Sequence, residues 1–330
     1  MGPLIDRFGR PVTGVRISVN STSSCNLHCI FCHREGEGRG HEVEMTPEEI
    51  ERIARILKGF SVTKVKLTGG EPTAREDILE IVERLGRLGL DDLSMTTNGY
   101  RMAELARELK DAGLKRVNLS LHSTYPDRYR FITGGGDYER AIGAIKASLD
   151  AGFFPVKLNV VVLKGVNDDE LERFIEFAGE LGAGDALILQ FIELQMVGSA
   201  IGGFYRKYHH DLKEYEAVLK RRAVKDVERT LHRRHQYKLP NGVWVEIVRP
   251  MHNSIFCMND TRIRITHDGK FKPCLFRNDN LVDFLGAMRS GASDEELAER
   301  FKLAVRVREP FFKPLSLPSS SDELSASRAS

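Results

Sequence analysis

The sequence predicts an α/β fold: an open, partial (β/α)6 TIM-type barrel followed by a C-terminal α+β extension. Three observations carry this prediction. Six short β-rich segments alternate with amphipathic helical stretches from residue 14 to about 195. The connections between them are long enough for helical crossovers, which parallel strands require. Beyond residue 200 the pattern changes, and an Asn-Gly and an Asp-Gly turn mark hairpins instead.

The predicted strands are 14–20, 62–68, 92–97, 115–122, 155–163 and 186–192, with helices near 46–58, 75–88, 101–112, 137–152 and 168–181 between them. Thr46-Pro47-Glu48-Glu49 illustrates the helix-start chemistry, with Thr as N-cap and Pro at the first helical position. Downstream, 205–222 reads as one charged helix. Tyr237–Val248 and Arg262–Leu275 read as hairpins turning at Pro240-Asn241-Gly242 and His267-Asp268-Gly269. Two further helices are expected over 279–289 and 293–304. The Ser-rich segment from Pro314 lacks apolar periodicity and reads as a disordered tail. The expected organisation is a barrel over 1–200, a closing region over 201–313 and a tail over 314–330, with no internal repeat.

Strand parity supplies the first functional clue. Strands of such a sheet are normally apolar on both faces, but here they alternate. Arg16, Ser18 and Asn20 oppose Val15, Ile17 and Val19; Lys64, Lys66 and Thr68 oppose Val65 and Leu67. The polar set continues as Ser94, Thr96 and Asn98, then Asn118, Ser120 and His122, then Lys157 and Asn159. The apolar sets must meet the outer helices, so the polar sets line the lumen. A buried unpaired cation costs several kcal/mol, so Arg16, Lys66 and Lys157 require water or an anionic ligand there. The expectation is a cavity for a polar anion such as a phosphate ester. An antiparallel sheet with one wet face also alternates, but the helical connections argue against it.

Composition narrows the function classes. Of 330 residues, 41% are apolar and 29% charged, and 49 Lys plus Arg against 47 Asp plus Glu leave a formal charge of +2. No bulk basicity supports nonspecific nucleic-acid binding. No apolar run approaches the roughly 18 residues of a membrane span. Without a secretory pattern at the start, a cytoplasmic protein is expected. Five cysteines, an odd number, argue against a disulfide framework and toward metal or redox chemistry. His28 and His33 beside the first three keep a structural zinc site open as the plainer alternative.

Cys25-x3-Cys29-x2-Cys32 lies just after the first predicted strand, where a barrel places its active site. Three thiolates would leave one iron of a four-iron cluster open to a ligand. Cys25-Asn-Leu-His-Cys29-Ile-Phe-Cys32 resembles the signature of the radical S-adenosylmethionine (SAM) superfamily, and Gly69-Gly70-Glu71-Pro72 resembles its second signature. Over about residues 5–312 the chain is similar, in archaeal-like form, to the GTP 3′,8-cyclase (MoaA) family of molybdenum cofactor biosynthesis. The similarity rests on Arg16-Ile-Ser-Val, Lys66-Leu-Thr, Thr96-Thr-Asn-Gly, Val117-Asn-Leu-Ser120, Lys157-Leu-Asn-Val-Val, Lys164-Gly-Val-Asn-Asp-Asp and Phe256-Cys257…Thr261-Arg262-Ile-Arg264…Cys274-Leu-Phe276.

That resemblance implies a radical SAM barrel that converts GTP to (8S)-3′,8-cyclo-7,8-dihydroguanosine 5′-triphosphate through a 5′-deoxyadenosyl radical. It implies that Cys25, Cys29 and Cys32 hold a [4Fe-4S] cluster bound to SAM, and that Phe31, Gly70, Ser120 and Gln195 contact SAM. It assigns Arg16, Lys66, Thr96, Lys157, Arg262 and Arg264 to GTP. Cys257 and Cys274 would belong to a second four-iron or altered iron–sulfur cluster. The implied partners are a flavodoxin- or ferredoxin-type reductant and the downstream cyclic pyranopterin monophosphate synthase, with a homodimer left open. No acid–base pair is assigned.

The chain departs from the family at several points. Asp260 stands at the middle cysteine of the second motif; it either ligates that cluster or belongs, with Asn259, to a plain turn. The last residues are Ala329-Ser330 rather than Gly-Gly, Gln190 stands where many members have Arg, and His122 replaces an acidic residue. Two extra residues separate Arg16 from Cys25. These departures keep two further readings open: a radical SAM enzyme for another phosphorylated nucleotide-like substrate, and an inactive metal-binding paralogue.

Overall fold

The computed structural model describes residues 2–37, 43–198 and 201–313; the tail predicted from Pro314 lies outside these residues. Six strands, β1 Gly14–Ser18, β2 Lys64–Thr68, β3 Asp92–Thr97, β4 Arg116–Ser120, β5 Val156–Val162 and β6 Leu187–Glu193, run parallel side by side in chain order. Helices α1 Pro47–Lys58, α2 Ile78–Gly86, α3 Met102–Asp111, α4 Pro126–Thr133, α5 Tyr138–Asp150 and α6 Leu171–Glu180 occupy the crossovers. The alternation therefore forms the predicted partial barrel. Thr46 and Glu49 close a reciprocal capping box at the start of α1, as the local sequence demands.

Residues beyond 201 enlarge the same sheet on both edges. They contribute α7 Gly203–Tyr208, α8 Lys213–Arg222, β7 Lys225–Glu228, β8 His235–Lys238, β9 Trp244–Val248, α9 Ser254–Met258, β10 Arg262–Ile265, β11 Lys270–Lys272, β12 Val282–Asp283, α10 Leu285–Arg289 and α11 Asp294–Arg306. The predicted hairpins form as β8–β9 and β10–β11. Each also docks one strand in parallel on the barrel: β10 on β1, and β9 on β6. The sheet order is β12-β11-β10-β1-β2-β3-β4-β5-β6-β9-β8-β7. Among the described residues no helix is long and apolar enough to cross a membrane.

Two local expectations are corrected. The single helix over 205–222 is two helices, α7 and α8, because His209 is extended (φ −67°, ψ 132°). Tertiary bonds hold that break: His209 Nε2 pairs with Glu193 Oε1 at 2.8 Å, and Lys164 N donates to Tyr208 O at 2.8 Å. The helix over 279–289 begins only at Leu285, since Val282–Asp283 pairs with Lys270–Phe271 as β12. Helix α4 and strand β7 were not anticipated, although Tyr125-Pro126 places Pro at a helix start.

The apolar strand faces pack under the helices. Val15, Ile17, Val65, Leu67, Leu93, Met95, Val117, Leu119, Leu158 and Val160 are all buried in one core with Ile50, Ile53, Leu85, Leu109, Phe174 and Phe301. A charged knot joins the two ends of the described chain beside the end of α11. Asp6 Oδ2 accepts from Arg10 Nε at 2.8 Å and from fully buried Arg308 at 3.0 Å, while Asp6 Oδ1 accepts from the backbone N–H of Phe8 and Arg10. Removing the carboxylate takes from buried Arg10 its ion-pair partner and from buried Arg308 the nearer of its two, and breaking such a buried pair costs about 3–5 kcal/mol. Asp6→Ala is expected to lower the urea unfolding free energy by about that amount, whereas a loss under about 1 kcal/mol would show that water replaces the carboxylate.

Candidate functional site

The loop that follows β1 carries Cys25, Cys29 and Cys32, and three supports shape it. Ser21 Oγ caps the short turn Thr22–Ser24. The end of α4 pairs with the loop through His28 N to Thr133 O (3.1 Å) and Ile30 N to Ile132 O (3.0 Å). Gly134, at φ 68°, lets the chain pass, since a Cβ there would lie 2.5 Å from His28 O. Beneath, Ile30 and Phe31 pack on a small cluster of Ile132, Leu163 and Leu194. Phe31 meets the His122 ring edge-on at 4.7 Å.

The Gly69-Gly70-Glu71-Pro72 turn after β2 locks against this loop. A Cβ on Gly69 would meet Asn20 Oδ1 at 2.5 Å, and one on Gly70 would meet Ser21 O at 2.4 Å and Cys25 N at 3.1 Å. Only glycine allows the two backbones to approach so closely. Glu71 is buried, and its carboxylate accepts from Thr73 N (2.9 Å), Thr73 Oγ1 (2.6 Å), Asn98 N (2.6 Å) and Thr97 Oγ1. Those donors oppose the desolvation that raises its pKa. The second signature is thus a brace that ties β1, β2 and β3 together at the barrel mouth.

Below the mouth, register stacks the polar faces in rows. One hydrogen-bonded row runs Arg264, Arg16, Lys66, Ser94, Arg116 across five strands. Another runs Thr96, Asn118, Lys157, and a third Ser120, Asn159, Gln190, Glu246. Like charges on adjacent strands repel, and the protein answers with carboxylates that the sequence analysis did not single out. Glu35 bridges Arg16 (3.0 Å) and Arg264 (2.6 Å). Glu246, fully buried on β9, pairs with Lys157 and accepts from Arg234 at 3.0 Å. Arg229 reaches the same carboxylate at 3.4 Å. The expectation that Arg16 and Lys157 need water or ligand is corrected accordingly, because Glu35 and Glu246 partner them.

Neutralisation is incomplete. Lys66 Nζ has only Asn118 Oδ1, at 2.9 Å, and neither Lys66 nor Arg262 has a carboxylate partner among the described residues. Burial, with Arg116, Arg262 and Arg16 nearby, pushes the Lys66 pKa well down. Burial and Arg234 hold the Arg262 guanidinium near 9. Glu35, between Arg16 and Arg264, is lowered to about 2 despite its desolvation. Among the described residues, Arg16 Nε is a buried donor with no hydrogen-bond partner. The lumen therefore keeps a surplus of positive charge and unused donors, which suits a polyanion.

At the opposite end, Cys257 on α9, Asp260 and Cys274 face the same space. Arg10 Nη1 donates to Cys257 O at 2.8 Å, and Arg308 Nη2 donates to Asp260 O. Asp260 Oδ1 accepts from Arg262 N at 3.0 Å, which is a turn, and pairs with His232 Nε2 at 3.2 Å. Its Oδ2 makes no hydrogen bond among the described residues and lies 3.6 Å from Arg308. His232 stacks on Phe256 with centroids 3.7 Å apart.

All sixteen residues assigned to a cluster, SAM or GTP line one cavity of about 340 Å³, whereas Ser18, Asn20, Lys64 and Ser94, expected on the same lumen face, do not. All five thiols are half-buried. Burial pushes the Cys25 thiol up to about 11 and raises Cys29 and Cys32 as well, so binding a metal centre there must expel protons. The donor set fits an iron–sulfur cluster at the mouth: three thiols on one braced loop. Of the residues missed from sequence, Glu246 left one readable trace, a lone carboxylate in the apolar run Trp244-Val-Glu-Ile-Val248. Glu35 left none, because its role depends on a loop folding back over β1.

Comparison with known proteins agrees with this geometry. Residues 19–178 match the family model described as Radical SAM superfamily, and residues 187–314 match Molybdenum Cofactor Synthesis C. A probable GTP 3′,8-cyclase of Thermococcus kodakarensis is 52% identical over 314 residues, covering 94% of this chain and 100% of that protein. Proteins of the same description are 51% identical in Pyrococcus horikoshii (94% and 98% covered) and 44% in Saccharolobus solfataricus (94% and 99% covered). Among solved structures, Streptococcus suis SuiB bound to precursor peptide SuiA shares the fold, with TM-score 0.62 at 16% identity over 95% of this chain and 69% of that one. Native anSMEcpe with bound AdoMet gives TM-score 0.57 at 17% identity over 88% and 81%.

Two outcomes follow from the site. Gly70→Ala is expected to leave the circular-dichroism spectrum native but to lower the iron retained on anaerobic reconstitution, since its Cβ displaces the Ser21–Cys25 backbone; full iron loading would refute that brace. His122 accepts from Val161 N through Nδ1 at 3.2 Å, and burial lowers its pKa to about 3. The folded state therefore binds fewer protons than the unfolded chain, and stability falls as pH drops below about 6.5. His122→Asn, which keeps an acceptor, is expected to remove up to about 3 kcal/mol of the stability lost between about pH 7 and pH 4, read by urea melts across that range.

Proposed function

The chain belongs to the GTP 3′,8-cyclase family of the radical SAM superfamily, and from that membership we propose that it converts GTP to (8S)-3′,8-cyclo-7,8-dihydroguanosine 5′-triphosphate in the first step of molybdenum cofactor biosynthesis. The observation that carries the proposal is the continuity of one cavity from the three-cysteine mouth, through a cationic lumen, to Cys257 and Cys274.

In this reading Cys25, Cys29 and Cys32 hold a [4Fe-4S] cluster with SAM. When bound, that pair supplies one-electron cleavage of SAM and hydrogen-atom abstraction from the ribose. The chain's own residues bind, orient and shield. Phe31, Gly70, Ser120 and Gln195 receive SAM, and the buried Gln195 Oε1, which has no hydrogen-bond partner among the described residues, is an acceptor for it. Arg16, Lys66, Thr96, Lys157, Arg262 and Arg264 receive GTP. The free Arg16 Nε and the uncompensated Lys66 and Arg262 face the phosphates, whose charge relieves the repulsion among them. Burial of the reacting region under Phe31, His122 and the β-strand walls keeps water and oxygen away.

Cys257, Cys274 and Asp260 hold a second iron–sulfur cluster. Asp260 offers Oδ2, while His232 and the Arg262 N–H hold Oδ1 and so fix the carboxylate plane. A flavodoxin- or ferredoxin-type protein supplies electrons, and cyclic pyranopterin monophosphate synthase consumes the product.

The test is anaerobic turnover of the reconstituted chain with SAM, dithionite and GTP, followed by mass spectrometry. The expected result is the 3′,8-cyclised nucleotide together with 5′-deoxyadenosine. Cleaved SAM with intact GTP would reassign the substrate to another phosphorylated nucleotide, and neither product despite bound iron would make the chain an inactive paralogue. Iron analysis is expected to give about eight irons per chain, falling to about four in Asp260→Ala and recovering in Asp260→Cys. Unchanged iron in Asp260→Ala would leave Asp260 as a turn residue only.

A further inference from the structure

A second cavity of about 410 Å³ lies at the floor of the barrel, among the N-terminal ends of the parallel strands and under the loop at Arg229–Leu231. It shares Lys66, Arg116, Lys157, Arg229 and Arg262 with the main cavity. These five basic side chains form the boundary between the floor and the lumen.

Arg116 is held there in a specific pose. Its Nε donates to Asp92 Oδ1 at 2.7 Å and its Nη2 to Asp92 Oδ2. This bidentate pairing uses one edge of the planar fork, and Nη1 makes no hydrogen bond among the described residues. Register places Arg116 in the same row as Lys66 and Arg16, with the small Ser94 between. Ser120 at the mouth and Arg116 at the floor are four residues apart on one strand, about 13 Å. Arg229 contacts Glu246 only at 3.4 Å, through Nη1 alone.

Resting on the nucleotide reading above, we propose that the floor is a terminal-phosphate subsite. The ribose must lie near the cysteine mouth, so the phosphate chain runs down the lumen past Lys66. Its last phosphate meets Nη1 of Arg116 and the free edge of Arg229. Asp92 is then a positioning residue that aims Arg116, and the pair selects triphosphates over monophosphates.

The experiment is calorimetry on the anaerobically reconstituted protein with GTP, GMP, tripolyphosphate and pyrophosphate, which requires no turnover. Wild type is expected to bind GTP more tightly than GMP and tripolyphosphate more tightly than pyrophosphate. Arg116→Gln is expected to weaken GTP and tripolyphosphate by at least about tenfold while leaving GMP within about twofold. Arg116→Lys should recover part of the loss, and Asp92→Asn should weaken GTP but not GMP. Equal losses for GTP and GMP, or no loss for either, would overturn the subsite. If Arg116→Gln melts at a markedly lower temperature, Arg229→Gln supplies the same comparison. Binding of tripolyphosphate without GTP in wild type would support the floor subsite and sink the GTP reading, so the two fail separately.

Discussion

The structure depends on how charge is held inside a parallel barrel. Every second side chain of the wall points inward, and here the inward set contains Arg16, Lys66, Arg116, Lys157, Arg262 and Arg264. Such a row is unstable in a low-dielectric interior unless anions reach it. Three carboxylates do so: Glu35 bridges Arg16 and Arg264, Glu246 pairs with Lys157, and Asp92 pairs with Arg116. Among the described residues they leave Lys66 and Arg262 without an ion pair, so the lumen keeps an affinity for anions.

Glu35 and Glu246 come from outside the six-strand repeat. Glu246 lies on β9, which residues beyond 201 add to one edge of the sheet, while β10 on the other edge brings two of the cations, Arg262 and Arg264. Glu35 comes from the loop after the cysteine triplet, where Arg34, Glu35 and Gly36 all adopt positive φ. The lumen is therefore complete only when both edge strands are docked. Coupling the C-terminal region to the barrel in this way makes the cavity a property of the whole chain.

The two cysteine groups are positioned by different means. The mouth loop is pinned by neighbours in sequence order: the glycine turn after β2, the Glu71 brace and the end of α4. The far group is pinned by the chain ends. Arg10 and Arg308 grip the carbonyls of Cys257 and Asp260 and are themselves fastened to Asp6. Rigid placement of both groups suits chemistry in which reactive species must not wander.

Much of this was legible in sequence. Periodicity set the six strands and five of the six crossover helices, parity set which residues face the lumen, and the cysteine spacings marked both ends of the cavity. These features are local: alternation follows from the two-residue repeat of a strand, and a turn follows from Asn-Gly or Asp-Gly. What the tertiary structure alone decided were the partners. That Glu35 neutralises Arg16 and Arg264, that Glu246 answers Lys157, that Asp92 aims Arg116 and that His232 holds Asp260 all depend on register and on loops returning across distances of up to 229 residues. A sequence displays which charges exist, but Coulomb interaction acts through space, so only the folded chain determines which charges meet.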